Sequence, residues 1–347
     1  MPLVFDGHND VLTRLLRGGG MTAAEQFISG SPFQLDLPKA RRGGFGGGFF
    51  AVWVASPSGA GDPFKAMADG GYDLPLPPPL SRDDAIDDVM HEIAILHRLE
   101  TLGALKVCTS VADIRACLAS GMLAAILHIE GAEVIDPELH TLDVLYRAGL
   151  RSLGPVWSRN TCFADGAPFR FPSSPDVGGG LTAEGQRLIA RCNELGILID
   201  LSHLTERGFD DVASLSSAPL VATHSNAHAL CPHARNLTDR QLAVIRASGG
   251  VVGLNFAGAF LRADGRMRGN VPMTTLIQHL DHLLEHLGEG GVAIGSDFDG
   301  AVVPEAIGDA SGLPVLIEAM REHGYGDTLL ERICHGNWLD VLERTWR

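Results

Sequence analysis

The feature that most constrains this chain is an alternation. Eight short, nearly uninterrupted apolar runs are separated by longer amphipathic or polar stretches. The runs are Leu3–Asp6, Phe49–Val54, Leu123–Ile129, Leu150–Val156, Ile197–Leu201, Leu220–Thr223, Val251–Asn255 and Val292–Gly295. A strand with one wet face alternates polar and apolar residues, whereas continuous runs suit a parallel sheet covered on both faces. Helix signals fill the gaps. Ser81 to Leu102 opens with a capping Ser and acidic residues, and sets Ile86, Val89, Ile93 and Leu96 on one face. Thr182 to Leu195 starts on a capping Thr and stops before Gly196. Thr238–Ala247, Met273–Leu287 and Leu313–His323 follow the same logic, and Leu329–Glu343 reads as closing helices. The pattern predicts an α/β fold, a (β/α)8 TIM barrel, with an open doubly wound sheet as the alternative. Against the alternative, the glycine run GGFGGG at 43–48 precedes a strand instead of opening a helix, so it is no dinucleotide fingerprint. All 347 residues are expected to form one barrel domain, with closing helices over about 326–347. Gly59–Pro79 and Asn160–Gly180 read as loops, and the second is long enough to overhang the mouth of the barrel.

Charge narrows the partners. With 27 Lys plus Arg against 42 Asp plus Glu, the net charge of −15 argues against nucleic acid or an anionic membrane as partner. The longest apolar candidate, Val251 to Leu261, is too short to span a bilayer. The opening MPLVFDGHND has no basic-then-apolar leader pattern. Six scattered Cys without a C-x-x-C pair suggest neither a disulfide framework nor a thiolate metal site, so a cytoplasmic protein is expected.

The chemistry is legible at the ends of the runs. Run one leads into Asp6-Gly7-His8-Asn9-Asp10, run three ends in His128-Ile129-Glu130, run five in Asp200-Leu201-Ser202-His203, run six in Thr223-His224, and run eight in Asp297-Phe298-Asp299. In a (β/α)8 barrel these strand ends converge on one mouth. His8 and Asp10, two apart on an extended strand, point to the same side. Imidazole and carboxylate donors without thiolate suit zinc in a hydrolytic site, with manganese or iron as alternatives. Three His and two carboxylates exceed what one catalytic zinc takes, so two ions sharing a carboxylate account better for the count. None of the three Lys lies at a strand end, which leaves Glu130 as the natural bridge. Each residue alone has a plainer reading: a core histidine, a turn aspartate, or, for Asp6, a cap on nearby backbone. His128, two before Glu130, could orient a neighbouring ligand. No G-x-S-x-G occurs around Ser202, Ser225 or Ser296.

The segments DGHND (6–10), QLDLPKARRGGFGGGFF (34–50), IEGAE (129–133), NTCFADG (160–166), LTAEGQRLIARCNELGILIDLSH (181–203), ATHSNAHALCPHARNLTD (222–239) and AIGSDFDG (293–300), in this order, resemble the zinc dipeptidases of the membrane (renal) dipeptidase type, peptidase family M19, within the amidohydrolase-like barrels. The resemblance implies that His8 and Asp10 bind a first Zn2+, that Glu130 bridges, and that His203 and His224 bind a second. It implies Asp297 as the acid/base handling the proton of the attacking water, and Arg235 as the fork holding the substrate's terminal carboxylate. Where the renal type carries a His in a Leu-Thr-His context, this chain has Trp157, with Arg159 close by as another candidate donor to the scissile carbonyl. The implied activity is hydrolysis of a small dipeptide with a free C-terminal carboxylate, tolerating a D-residue there, in a soluble bacterial-type member and possible homodimer. Two alternatives remain at this point: hydrolysis of an N-acyl amino acid or lactone, and a barrel that binds metal or ligand without catalysis. A metal-dependent deaminase is disfavoured by the His-x-Asp start and by Arg235.

Overall fold

A computed structural model describes residues 1–56 and 62–346 of the chain. All eight expected strands are present: β1 (Val4–Asn9), β2 (Phe45–Trp53), β3 (Leu123–Glu130), β4 (Leu150–Gly154), β5 (Leu198–Ile199), β6 (Val221–Ala222), β7 (Val251–Leu254) and β8 (Val292–Ile294). Every pairing among them is parallel, in the order β1-β2-β3-β4-β5 and β6-β7-β8. Single bridges close both seams, Asp200 to Val221 between β5 and β6, and Asn9 to Phe298 between β8 and β1. The result is a closed (β/α)8 barrel.

Local chemistry explains the boundaries. Ser81 and Asp84 exchange hydrogen bonds in a capping box at the start of helix Arg82–Thr101, and Thr238 and Gln241 do the same for Asp239–Ala247. Helix Ala183–Leu195 is capped by Thr182 and ends at Gly196, whose φ of 69° is the left-handed conformation glycine adopts freely. The expected closing segment is made of Asp327–Glu331, a π-helical turn over Arg332–Gly336, and Asn337–Thr345.

Two boundaries depart from the sequence reading. β2 begins at Phe45 and so contains most of the glycine run. The reason is close approach: a Cβ on Gly47 would lie 2.1 Å from the Ala124 carbonyl oxygen, and one on Gly48 2.5 Å from that of Asp6. β1 runs on through the polar Gly7-His8-Asn9, all buried. A short strand, Leu105–Val107, pairs with the first half of β3 on the side that β4 occupies further along.

Inside the barrel, Phe5, Phe49, Ile126, Leu198, Val251 and Ala293 pack together, and Trp338 from the last helix joins them. The Trp338 indole N–H donates to the Ile294 carbonyl at 2.9 Å, and its ring lies 5.1 Å from Phe49. This plug fills the half of the barrel away from the polar strand ends.

Above those strand ends, the two expected loops meet. Tyr72–Asp73 pairs antiparallel with Arg170–Phe171, and the Tyr72 hydroxyl donates to the Gly265 carbonyl at 2.6 Å. Residues 59–61 of the first loop lie outside the described residues. No helix among the described residues is long and apolar enough to cross a membrane.

Candidate active site

The strand ends bring His8, Asp10, Glu130, His203, His224 and Asp297 into one buried cluster. Glu130 Oε1 is its centre. It lies 3.8 Å from His8 Nε2, 3.1 Å from His203 Nε2 and 3.3 Å from His224 Nε2. His8 Nε2 also lies 3.4 Å from Asp10 Oδ2. The donors therefore divide into two overlapping sets, His8, Glu130 and His224 in one, and His8, Asp10 and Asp297 in the other, each within 4.8 Å.

Hydrogen bonds outside the cluster set the rings. The Thr223 hydroxyl donates to Asp200 Oδ2 at 2.6 Å and lies 2.8 Å from His224 Nδ1. With its proton committed to Asp200, it accepts from Nδ1–H, which leaves the Nε2 lone pair of His224 facing Glu130. Ser158 Oγ lies 2.9 Å from His203 Nδ1, a hydrogen bond that fixes that ring's orientation. Asp200 is thus a buttress. Its other oxygen accepts the amides of Ser202 and Thr223. Asp6 likewise accepts the Ser296 amide and hydroxyl, at 2.6 and 2.8 Å. His128 bonds Ser152 through Nδ1 at 2.8 Å and packs edge-on against His8. His203, Asp297 and Asp299 have φ of 68°, 60° and 69°, strained backbone for residues with a side chain. Replacing Ser158 by Ala is expected to weaken metal retention about 10- to 100-fold, read by competition with a chelator. Unchanged retention would mean that the backbone alone orients His203.

The electrostatics call for a cation. Burial, with the nearby Arg235 and His8 charges, holds His203 and His224 well below the usual imidazole range, so both rings are neutral. Their Nε2 atoms nevertheless face each other at 3.3 Å, near the edge spanned by tetrahedral zinc bonds of about 2.0–2.1 Å. Burial pushes Glu130 well above the usual carboxylate range. It also raises Asp297 to about 7, with help from the Asp10 charge. Burial opposes a charge on His8 too, but Glu130 and Asp10 outweigh it and push His8 up to about 10. His8 Nδ1, His8 Nε2 and Glu130 Oε1 are buried without a hydrogen-bond partner. Buried, unpartnered nitrogen and oxygen donors converging on one point fit metal ions of the zinc class.

A cavity of about 360 Å³ opens over the cluster, a size suited to a small molecule. Trp53, Trp157, Phe169, Phe260 and Met267 wall it, with Arg14 and Arg17 near its mouth. Trp157 packs 5.0 Å from Trp53, 5.5 Å from Phe169 and 6.0 Å from His203. Phe169, from the second expected loop, overhangs the site as anticipated. Arg235 is buried, its guanidinium 5.5 Å from the Phe260 ring and its Nε without a partner. Burial lowers it to about 10 against the pull of Glu130 and Asp297. Arg159 departs from the expectation. Its guanidinium is wholly buried on Glu133 at 2.8 Å, the Val54 carbonyl at 2.8 Å and Ser56 Oγ at 3.0 Å, and neither it nor Arg235 is among the residues lining the cavity. All three of its guanidinium nitrogens already have partners, in the segment after β2 and the loop after β3.

Several contributors were not legible. Asn255 donates to Asp297 Oδ2 at 2.9 Å, and an Asn closing an apolar run carries no distinctive spacing. Gly300 has no room for a side chain, since a Cβ there would lie 2.0 Å from Asp10 Oδ2 and 2.3 Å from Asp297 Oδ1. A larger, more open depression of about 530 Å³, lined by Arg246, Asp340, Glu343 and Arg344 beside several glycines, has no comparable convergence of donors.

Comparison with known proteins identifies the family. Residues 1–346 match the family model for membrane dipeptidase, peptidase family M19. A metallo peptidase from Rhodobacter sphaeroides, solved with a phosphinate mimic of the dipeptide L-Ala-D-Ala, superposes with a TM-score of 0.97 at 52% identity over 99% of each chain. The "Uncharacterized protein in pqqA 5'region" of Klebsiella pneumoniae is 49% identical over 266 residues, 76% of this chain and 98% of its own. A probable dipeptidase from Pseudomonas aeruginosa shares the fold, with a TM-score of 0.82 at 24% identity, over 99% of this chain and 95% of that one. The chain belongs to the membrane dipeptidases of peptidase family M19, hydrolases of the metallo-dipeptidase type.

Proposed function

We propose that this enzyme is a binuclear-zinc dipeptidase that cleaves small dipeptides with a free C-terminal carboxylate and accepts a D-residue at that end. The observation that carries the reading is the placement of Glu130 Oε1 within 3.1–3.8 Å of three imidazole nitrogens, beside a second donor set of His8, Asp10 and Asp297. One ion would rest on His8 and Asp10, a second on His203 and His224, with Glu130 between them. Bound zinc supplies a Lewis acid and makes water acidic enough to furnish a nucleophile near neutral pH.

The chain's own groups do the rest. Asp297, fixed by Asn255, takes the proton of the attacking water and delivers it to the departing amine. Arg235 receives the terminal carboxylate through its planar fork, and selects substrates short enough to place that carboxylate beside the cluster. The walls of Trp53, Trp157 and Phe169 exclude bulk water from the scissile bond. The L-Ala-D-Ala mimic carried by the Rhodobacter sphaeroides relative supports acceptance of a D-residue on the leaving side.

Metal analysis and a substrate panel test this directly. About two zinc ions per chain at the barrel mouth are expected, with turnover of L,L and L,D dipeptides and little of N-acyl amino acids. A metal-free active enzyme, or preference for acylated amino acids, would overturn the proposal. Arg235→Leu should raise KM for dipeptides about 30-fold or more with a smaller effect on kcat, following the ~2–5 kcal/mol of a buried charge pair. It should also abolish discrimination against the C-terminally amidated dipeptide. Retained discrimination would place the carboxylate elsewhere.

A further inference from the structure

A second cluster of metal-ligating side chains lies outside the cavity, where two neighbouring outer helices pack. Asp239 opens helix Asp239–Ala247, and His282 and His286 lie on helix Met273–Leu287. The four-residue spacing places both imidazoles on one helix face. Their rings stack with centroids 4.2 Å apart. Both Nε2 atoms turn toward the same carboxylate, His282 at 2.7 Å from Oδ1 and His286 at 3.6 Å from Oδ2 of Asp239. One ligand atom from each residue falls within 4.8 Å of the others.

Two details favour a ligand role over a plain surface ion pair. His286 Nδ1 lies 2.9 Å from the His282 carbonyl, an acceptor, so Nδ1 donates there and Nε2 is the nitrogen left to bind a metal. The imidazoles are also part-sheltered, with side chains 16% and 26% exposed, whereas Asp239 is open at 51%. The rings are held in place while the carboxylate can adjust. Arg246 approaches only from the backbone side, through the His286 carbonyl at 3.4 Å.

We infer that Asp239, His282 and His286 form a peripheral site for one borderline divalent ion such as zinc, nickel or copper(II), bound through two imidazole nitrogens and one carboxylate oxygen with the remaining positions left to water. These ions favour this donor set, whereas magnesium and calcium prefer all-oxygen shells. Binding displaces the proton of the His282–Asp239 hydrogen bond and ties two successive outer helices together. The inference is independent of how many ions the barrel mouth holds, because the site shares no residue with it.

The test compares the metal-loaded parent with His282→Ala and, separately, His286→Ala after dialysis against micromolar zinc. Each variant should bind one zinc fewer per chain than the parent with dipeptide turnover unchanged, and His286→Ala should also keep the parent's melting midpoint in zinc-free buffer. Added zinc should raise the parent's melting midpoint but neither variant's, because a ligand that binds only the folded state stabilises it. His286→Ala keeps the His282–Asp239 pair, so its loss of zinc cannot be ascribed to a broken ion pair. Equal zinc content in all three proteins, or a deficit in only one variant, overturns the site.

Discussion

Asp297→Asn is expected to lower kcat about 10²- to 10⁴-fold, the usual worth of a positioned general acid/base, while bound metal stays at the parent's level. Asn is isosteric with Asp and can keep a bond to Asn255 by presenting its carbonyl oxygen, but it cannot take a proton from water and return it to an amine. The substituted side chain stays where Asp297 Oδ2 sits, 2.9 Å from the Asn255 amide nitrogen. Metal content separates the two roles open to this carboxylate, because Asp297 also falls within 4.8 Å of His8 and Asp10 as a would-be ligand. A fall in turnover with all the metal retained identifies the proton carrier. A fall in which an ion is lost as well would make Asp297 a ligand, and the proton would need another acceptor. Single-turnover kinetics with a dipeptide should show the defect in the chemical step, with KM little changed.

Glu130→Gln should be more damaging still. An amide offers one acceptor oxygen and turns an N–H donor toward whatever faces its other side. Oε1 of Glu130 faces three ring nitrogens, two of them on neutral imidazoles. On the proposed two-ion reading the substitution removes the negative charge that would offset both cations, so metal analysis should show less than the parent's complement. Turnover should fall by about 10³-fold or more, corresponding to ~4 kcal/mol of lost transition-state stabilisation. Full metal occupancy in this variant would show that the carboxylate is not shared, and would remove the main support for two ions.

Much of this arrangement could be read from the residues, for a physical reason. Strands buried on both faces must be almost purely apolar, so polar residues at their ends stand out: His8, Glu130, His203 and His224 are conspicuous because each closely follows an apolar run. Other parts were hidden. The start of β2 was obscured because glycines lower strand propensity, yet here they let β1 and β3 approach. Arg159 looked available because a guanidinium near an expected mouth resembles a substrate anchor, and only the fold reveals Glu133 and the Val54 carbonyl as its partners. The supporting bonds of Ser158 to His203, Thr223 to Asp200 and Asn255 to Asp297 join residues far apart in the chain through single hydroxyl or amide groups, which leave no periodic trace.

The ion-facing groups project from strand ends, but the ceiling above them is stitched from two excursions joined at Tyr72–Asp73 and Arg170–Phe171. Bond breaking and guest selection therefore rest on different pieces of chain. Exchanging the ceiling segments between homologous enzymes should transplant a taste for particular amino acids while leaving the hydrolytic engine running, so one scaffold can be retuned to many diets by editing its rim alone.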